Sequence, residues 1–186
     1  MNTLPSASEQ SHAASDVEVP VPAIDLSIYV MPAFATLTVS DLAASRRWYV
    51  EGLGLAVLAE LPGPSGNVAL IHLRRWRYQD MLLVPGRSLD APSARGIRLT
   101  FSAHGADLDT LIAQARAVED GVVEGPYTTP WNTRDVLARD PDGYEVVFTS
   151  TLPAELHNPE FASRMEQVKQ QMLLARNTSP SDVNSQ

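Results

Sequence analysis

The amino-acid sequence predicts an α+β fold: two βαβββ modules that form a cup-shaped mixed sheet with helices on its outer face. Three observations carry this prediction. The order strand, helix, three strands occurs twice, with opening strands near Phe34 and Gly96 roughly 62–64 residues apart, and such a period marks a doubled supersecondary unit. Apolar residues alternate along the opening and closing strands, which gives a sheet one apolar face and one mixed face. Gly and Pro fall where strands must turn.

FATLTV (34–39) reads as the first strand. Ala35, Leu37 and Val39 face a helix layer, and Phe34, Thr36 and Thr38 face the other way. Ser40-Asp41 offers a cap for the helix LAASRRWYVEGLG, which Gly52 and Gly54 end. Strand-like runs follow at 55–61, 67–75 and 79–85, the first two joined by the turn PGPSG. The order then repeats. GIRLTFSA (96–103) is a strand with Ile97, Leu99 and Phe101 toward the helices and Arg98, Thr100 and Ser102 away from them. Ala106 to Ala117 is a helix with Leu108, Leu111, Ile112 and Ala115 on one face. Strands at 121–127, 134–139 and 144–150 complete the module, with DPDG (140–143) as a tight turn. In the last strand Val146 and Phe148 face the helices, and Glu145, Val147 and Thr149 do not. Residues 155–176 read as a further helix whose stripe Phe161, Met165, Val168 and Met172 packs on the sheet or on a second subunit.

These elements divide the chain into a flexible acidic leader (1–32), a two-module domain (33–152, modules about 33–86 and 95–152) and a C-terminal helix with a disordered tail (153–186). The leader holds Glu9, Asp16, Glu18 and Asp25 and no Lys or Arg. Its stretch VPVPAIDLSIYVMP is more apolar and is expected to lie along the body of the fold. With 186 residues the chain has room for one core. The absence of Cys excludes disulfides, thiolate metal sites and a Cys nucleophile. A net charge of −8 argues against nucleic acid as a partner, which would need a basic face. No apolar run reaches the roughly 18 residues of a membrane span, and no secretory signal pattern opens the chain. No membrane partner and a cytoplasmic location are therefore expected.

The runs FATLTVSDLAASRRWYVEGLGLAV and RDVLARDPDGYEVVFTS resemble the two signature stretches of the vicinal oxygen chelate superfamily, the group of glyoxalase I, bleomycin-resistance proteins and extradiol dioxygenases. The matching positions are Ser40-Asp41-Leu42, Tyr49 and Leu53-Gly54 in the first, and Asp140 to Gly143 in the second. The resemblance covers about residues 33–151 and implies paired modules forming a cup, often completed in a homodimer. In the family's metal enzymes four cup positions hold a divalent ion. Here those positions fall on Phe34, Leu82, Arg98 and Val147, and none offers a carboxylate or imidazole donor. A bleomycin-resistance-like member lacking the metal ligands is the implied reading, with no metal site and no cofactor.

The expected function is metal-independent binding of an apolar or aromatic small molecule in the cup, as in sequestration or resistance. Phe34, Leu82 and Val147 make the former metal centre apolar, and Thr36, Arg98, Thr100 and Glu145 orient the ligand. Arg98 is expected to pair with Glu145 or Asp80, or to meet an oxygen of the ligand. Trp76 and Tyr78, in the run HLRRWRYQD, either rim the cup or belong to a hairpin with solvated arginines. Trp131 and Arg134, expected to touch the ligand, lie in a Pro-bounded loop that resembles a Pro-aromatic-Gly-x-Arg segment of the family, and Trp131 could equally cover the sheet end. The alternative is an enzyme of the same superfamily (a lyase, isomerase or dioxygenase). It would be metal-free, with Glu145 or Asp80 as a proton acceptor of raised pKa, or would use metal ligands placed elsewhere in register. Of the four histidines, His12, His72, His104 and His157, only His72 falls on a strand near the cup, on a face that the pattern leaves open.

Overall fold

The computed structural model of the chain describes residues 23–28, 31, 33–86 and 97–178. The flexibility expected of residues 1–22 and the disorder expected beyond residue 178 lie outside the described residues.

The first module runs β1 (Phe34–Val39), α1 (Leu42–Arg47), a π-helical turn (Trp48–Gly52), β2 (Ala56–Pro62), β3 (Val68–Arg74) and β4 (Asp80–Pro85). The second runs β5 (Arg98–Ser102), α2 (Gly105–Ala117), β6 (Val122–Thr128), β7 (Thr133–Arg139) and β8 (Glu145–Thr151). A short 3₁₀ turn (Ala154–Leu156) leads to α3 (Pro159–Thr178). Each module forms one four-stranded mixed sheet, ordered β1-β4-β3-β2 and β5-β8-β7-β6. β1 lies parallel to β4, and β5 parallel to β8; the other neighbours are antiparallel.

Local chemistry explains the elements. The Asp41 carboxylate accepts from the amides of Ala43 and Ala44 and so caps α1. Widening into a π turn lets consecutive Trp48 and Tyr49 both become fully buried. The helix-side residues Leu37, Val39, Leu73, Met81 and Leu83 of the first sheet and Phe101, Val136, Val146 and Phe148 of the second join one core, together with Leu108, Leu111, Ile112 and Ala115 of α2. Each such side chain contributes about 1.5–3 kcal/mol by leaving water.

The modules meet on this helix side. A Cβ at Gly121 would stand 2.6 Å from the Trp48 ring, so only glycine admits this indole of module 1 against module 2. The resemblance motifs form the rest of the junction. The Tyr49 hydroxyl donates to Asp140 Oδ2 (3.0 Å), and the amides of Asp142 and Tyr144 donate to Oδ1. Asp142 accepts from the Ser40 amide, and the Tyr144 hydroxyl donates to the Thr38 carbonyl. The Asp-Pro-Asp-Gly turn therefore clasps the end of β1.

Two expectations need correction. Ile97 is 70% exposed, because it precedes β5 and never enters the core. The α3 stripe packs only in part within one chain: Met165 and Met172 are 48% and 64% exposed, and Phe161 and Val168 are half-buried.

Candidate functional site

Strand register assigns the mixed faces. Parallel pairing of Phe34 with Asp80 and of Thr36 with Leu82 puts these four on one face. Antiparallel pairing of His72 with Leu82 and of Arg74 with Asp80 adds His72 and Arg74. In module 2, Arg98 pairs with Glu145 and Thr100 with Val147, while Leu137 and Arg139 of β7 face Val147 and Glu145. The four inferred metal positions thus occupy the two parallel strand pairs, on the mixed faces. Their donor chemistry does not fit a divalent ion. Among the described residues, no group of three or more His, Asp or Glu side chains could hold one.

The module 1 face ends in a buried charge cluster. Asp80 Oδ1 lies 2.7 Å from His72 Nε2 and accepts from Arg74 Nε at 2.7 Å. Arg74, fully buried, also donates through Nη1 to the Asp25 and Ser27 carbonyls. Asp25 and Ser27 of the leader therefore meet this end of the sheet through their carbonyls. A buried guanidinium is tolerable only with such compensation. Asp80 Oδ2 is buried with no hydrogen-bond partner among the described residues. Asp80, expected as a proton acceptor in an apolar cup, is thus engaged by His72 and Arg74.

The module 2 face is open and ionic. Arg98 donates to Glu145 Oε2 through Nε (2.9 Å) and Nη2 (2.7 Å), and Arg139 holds Oε1 at 3.1 Å. These two guanidinium groups hold the Glu145 carboxyl below its ordinary pKa. This direction is opposite to the rise expected from the sequence. Arg98 does pair with Glu145, as expected, although its side chain is 56% exposed. Thr133 and Thr149 hydroxyls donate to Asp135 Oδ1. Phe34, Thr36 and Thr100 are exposed, Leu82 is half-buried, and Val147 is buried.

Of the four further expected ligand residues, Arg134 and Trp76 lie on the helix side, and Tyr78 and Trp131 stand at turns. Arg134 pairs in register with Ser150 and forms an ion pair with Asp109 of α2, which places it on the helix side. Trp76 lies on the α2 side of the β3–β4 turn, its ring 5.5 Å from that of His104. Tyr78 takes a positive φ of 66° in that turn and is 43% exposed. Trp131 is 55% exposed at the β6–β7 turn. The hairpin arginines are not uniformly solvated: Arg74 and Arg75 are buried, and Arg77 pairs with Asp25. Sequence reasoning missed Arg74, Asp135 and Arg139 as mixed-face residues and left His72 unplaced. Extending the period-2 alternation through β3 and β7 would have found them.

Two βαβββ modules, each a four-stranded mixed sheet with one helix-packed face and one mixed face, define a two-module α+β protein. The chain belongs to the Glyoxalase/Bleomycin resistance protein/Dioxygenase superfamily, whose family model matches residues 31–148. No curated protein matches the sequence. Solved structures share the fold. Hypothetical protein SA1046 from S. aureus is 16% identical with a TM-score of 0.51, covering 66% of this chain and 95% of its own. The fosfomycin resistance protein FosX from Listeria monocytogenes, complexed with Mn(II) and sulfate, is 12% identical with a TM-score of 0.51, covering 66% and 93%. TioX from Micromonospora sp. ML1 is 20% identical with a TM-score of 0.50, covering 64% and 97%. No helix among the described residues is long and apolar enough to cross a membrane.

Proposed function

We propose that the chain is a metal-independent small-molecule-binding protein that holds an apolar or aromatic ligand against its mixed faces, in a sequestration or resistance role. The observation that carries this reading is the composition of the two parallel strand pairs. Phe34, Leu82 and Val147 supply apolar contact, Arg98 supplies charge, and none can ligate a divalent ion. FosX is described with Mn(II); this chain lacks donors at the corresponding family positions, so protection would come from binding alone. Exposure of Phe34, Thr36 and Thr100 in one chain supports completion of the cup by a second copy, a homodimer.

The test is saturation binding of an aromatic anion, 8-anilinonaphthalene-1-sulfonate, to protein dialysed against a chelator. Binding should be saturable and unchanged by added Mn(II) or Zn(II). It should weaken in Arg98→Met by roughly 1.5–3 kcal/mol, the range of a charge-assisted hydrogen bond, and vanish in Val147→Arg. A requirement for metal, or indifference to both substitutions, would overturn the reading.

One observation favours a metal-free enzyme as the second reading. His72 is on the mixed face with its ring held by buried Asp80, the arrangement that fixes an imidazole as an acid or base. In that reading His72 is the proton acceptor and Asp80 the positioning residue. Turnover of a bound ligand, lost in His72→Gln and not merely weakened in binding, would establish it.

A further inference from the structure

The β3–β4 turn carries a second cationic centre on the helix side, away from the mixed faces. Arg75 is only 6% exposed. Its Nη1 donates to the Leu53 carbonyl at 3.1 Å, and its guanidinium lies 4.5 Å from the Phe148 ring centroid and 5.4 Å from that of Trp76. Its Nε is buried with no hydrogen-bond partner among the described residues. Burial pushes the guanidinium below its ordinary pKa, and the Asp107 carboxylate pulls it back up. Yet no ion pair forms between them, so Asp107 acts from beyond contact distance. One carbonyl and two aromatic rings are thin compensation for a buried cation.

Arg75 and Asp107 both line a cavity of about 170 Å³, together with Thr110, Gln114 and the apolar Ile24, Leu53 and Leu111. That is roughly the space of five or six waters. The cavity therefore presents an under-compensated guanidinium and a separate carboxylate above an apolar floor. A simple anion would meet Arg75 and be repelled by Asp107; a simple amine would meet the reverse. A small molecule bearing both charges on neighbouring atoms satisfies both and fills the gap that keeps the pair apart.

We propose that this cavity binds a free α-amino acid with a small aliphatic side chain. Its carboxylate would be taken by Arg75, its ammonium by Asp107, and its side chain would lie against Leu53, Leu111 and Trp76. The site is distinct from the mixed faces and does not depend on the reading given to them.

The test is titration of ¹⁵N-labelled protein with L-valine, following the Arg75 Nε–Hε correlation. The expected result is a saturable shift of that resonance. Isovalerate (acid only) and isobutylamine (amine only) should each bind at least roughly tenfold more weakly, because each leaves one charge of the site unanswered. Arg75→Met and Asp107→Asn should both reduce valine binding by a similar factor. Should Arg75→Met fail to fold, Thr110→Trp, at an exposed α2 position, should block valine by filling the cavity. No shift at millimolar valine would overturn the proposal. So would isovalerate binding as well as valine, or Asp107→Asn binding valine more tightly.

Discussion

Both mixed faces carry a carboxylate held by cationic or imidazole side chains, in opposite settings. In module 1, His72, Arg74 and Asp80 are buried, each at 3% exposure or less, and the leader's Asp25 and Ser27 carbonyls meet Arg74. In module 2, Arg98, Glu145 and Arg139 form a chain of ion pairs open to water, with side-chain exposures of 25–56%. Burial makes the first cluster obligatory, because a desolvated charge that loses its partner has no water to replace it. Exposure makes the second replaceable, since solvent screens each charge and a ligand can displace one partner. The first cluster is thus held by desolvation, and the second stands open to solvent.

The comparison breaks most readily at Asp80. Asp80→Ala leaves Arg74 and His72 buried without their shared acceptor and should cost about 3–5 kcal/mol of folding stability in urea unfolding. A loss below about 1 kcal/mol would show that the cluster is hydrated.

The next effect belongs to the clasp between modules. Burial raises the Asp140 carboxyl from 3.8 to about 6, against the opposing hydrogen bonds from the Tyr144 amide and the Tyr49 hydroxyl. Between those values the folded chain holds more protons than the unfolded chain, so stability must fall as pH rises from about 4 to about 6, by up to about 3 kcal/mol. Asp140→Asn keeps an acceptor and cannot ionise; its stability in the same window should lose this contribution. An unchanged pH slope in the variant would mean that Asp140 ionises freely in the fold.

The smallest effect is expected on the open face. Glu145→Ala should change stability by no more than about 1 kcal/mol, in keeping with exposed ion pairs. A loss matching that of Asp80→Ala would erase the distinction between the faces.

How much of this was legible depended on whether a residue's setting follows from its own strand. Period-2 alternation in β1, β5 and β8 placed Phe34, Thr36, Arg98, Thr100, Glu145 and Val147 on the mixed faces, and register kept them there. Alternation cannot say what covers a face. Arg74 is met by carbonyls of a segment some fifty residues earlier in the chain, a contact that no local pattern encodes. Turn residues fared worst for a related reason. Trp76, Tyr78 and Trp131 are aimed by tight-turn geometry, including positive φ at Tyr78 and Asn132, so aromatic character alone could not place them. Arg134 was assigned to the ligand from the loop motif, although it also opens the strand read over 134–139. It belongs to β7, where alternation sends it to the helix side.

Native mass spectrometry of the chain purified without added metal or ligand tests the central claim most directly, because one spectrum reads subunit number, metal content and bound organic mass. The account predicts a dimer, free of stoichiometric metal, that carries or readily takes up an organic molecule. A species holding one divalent ion per chain would contradict it, and would mean that the metal ligands lie at positions other than Phe34, Leu82, Arg98 and Val147.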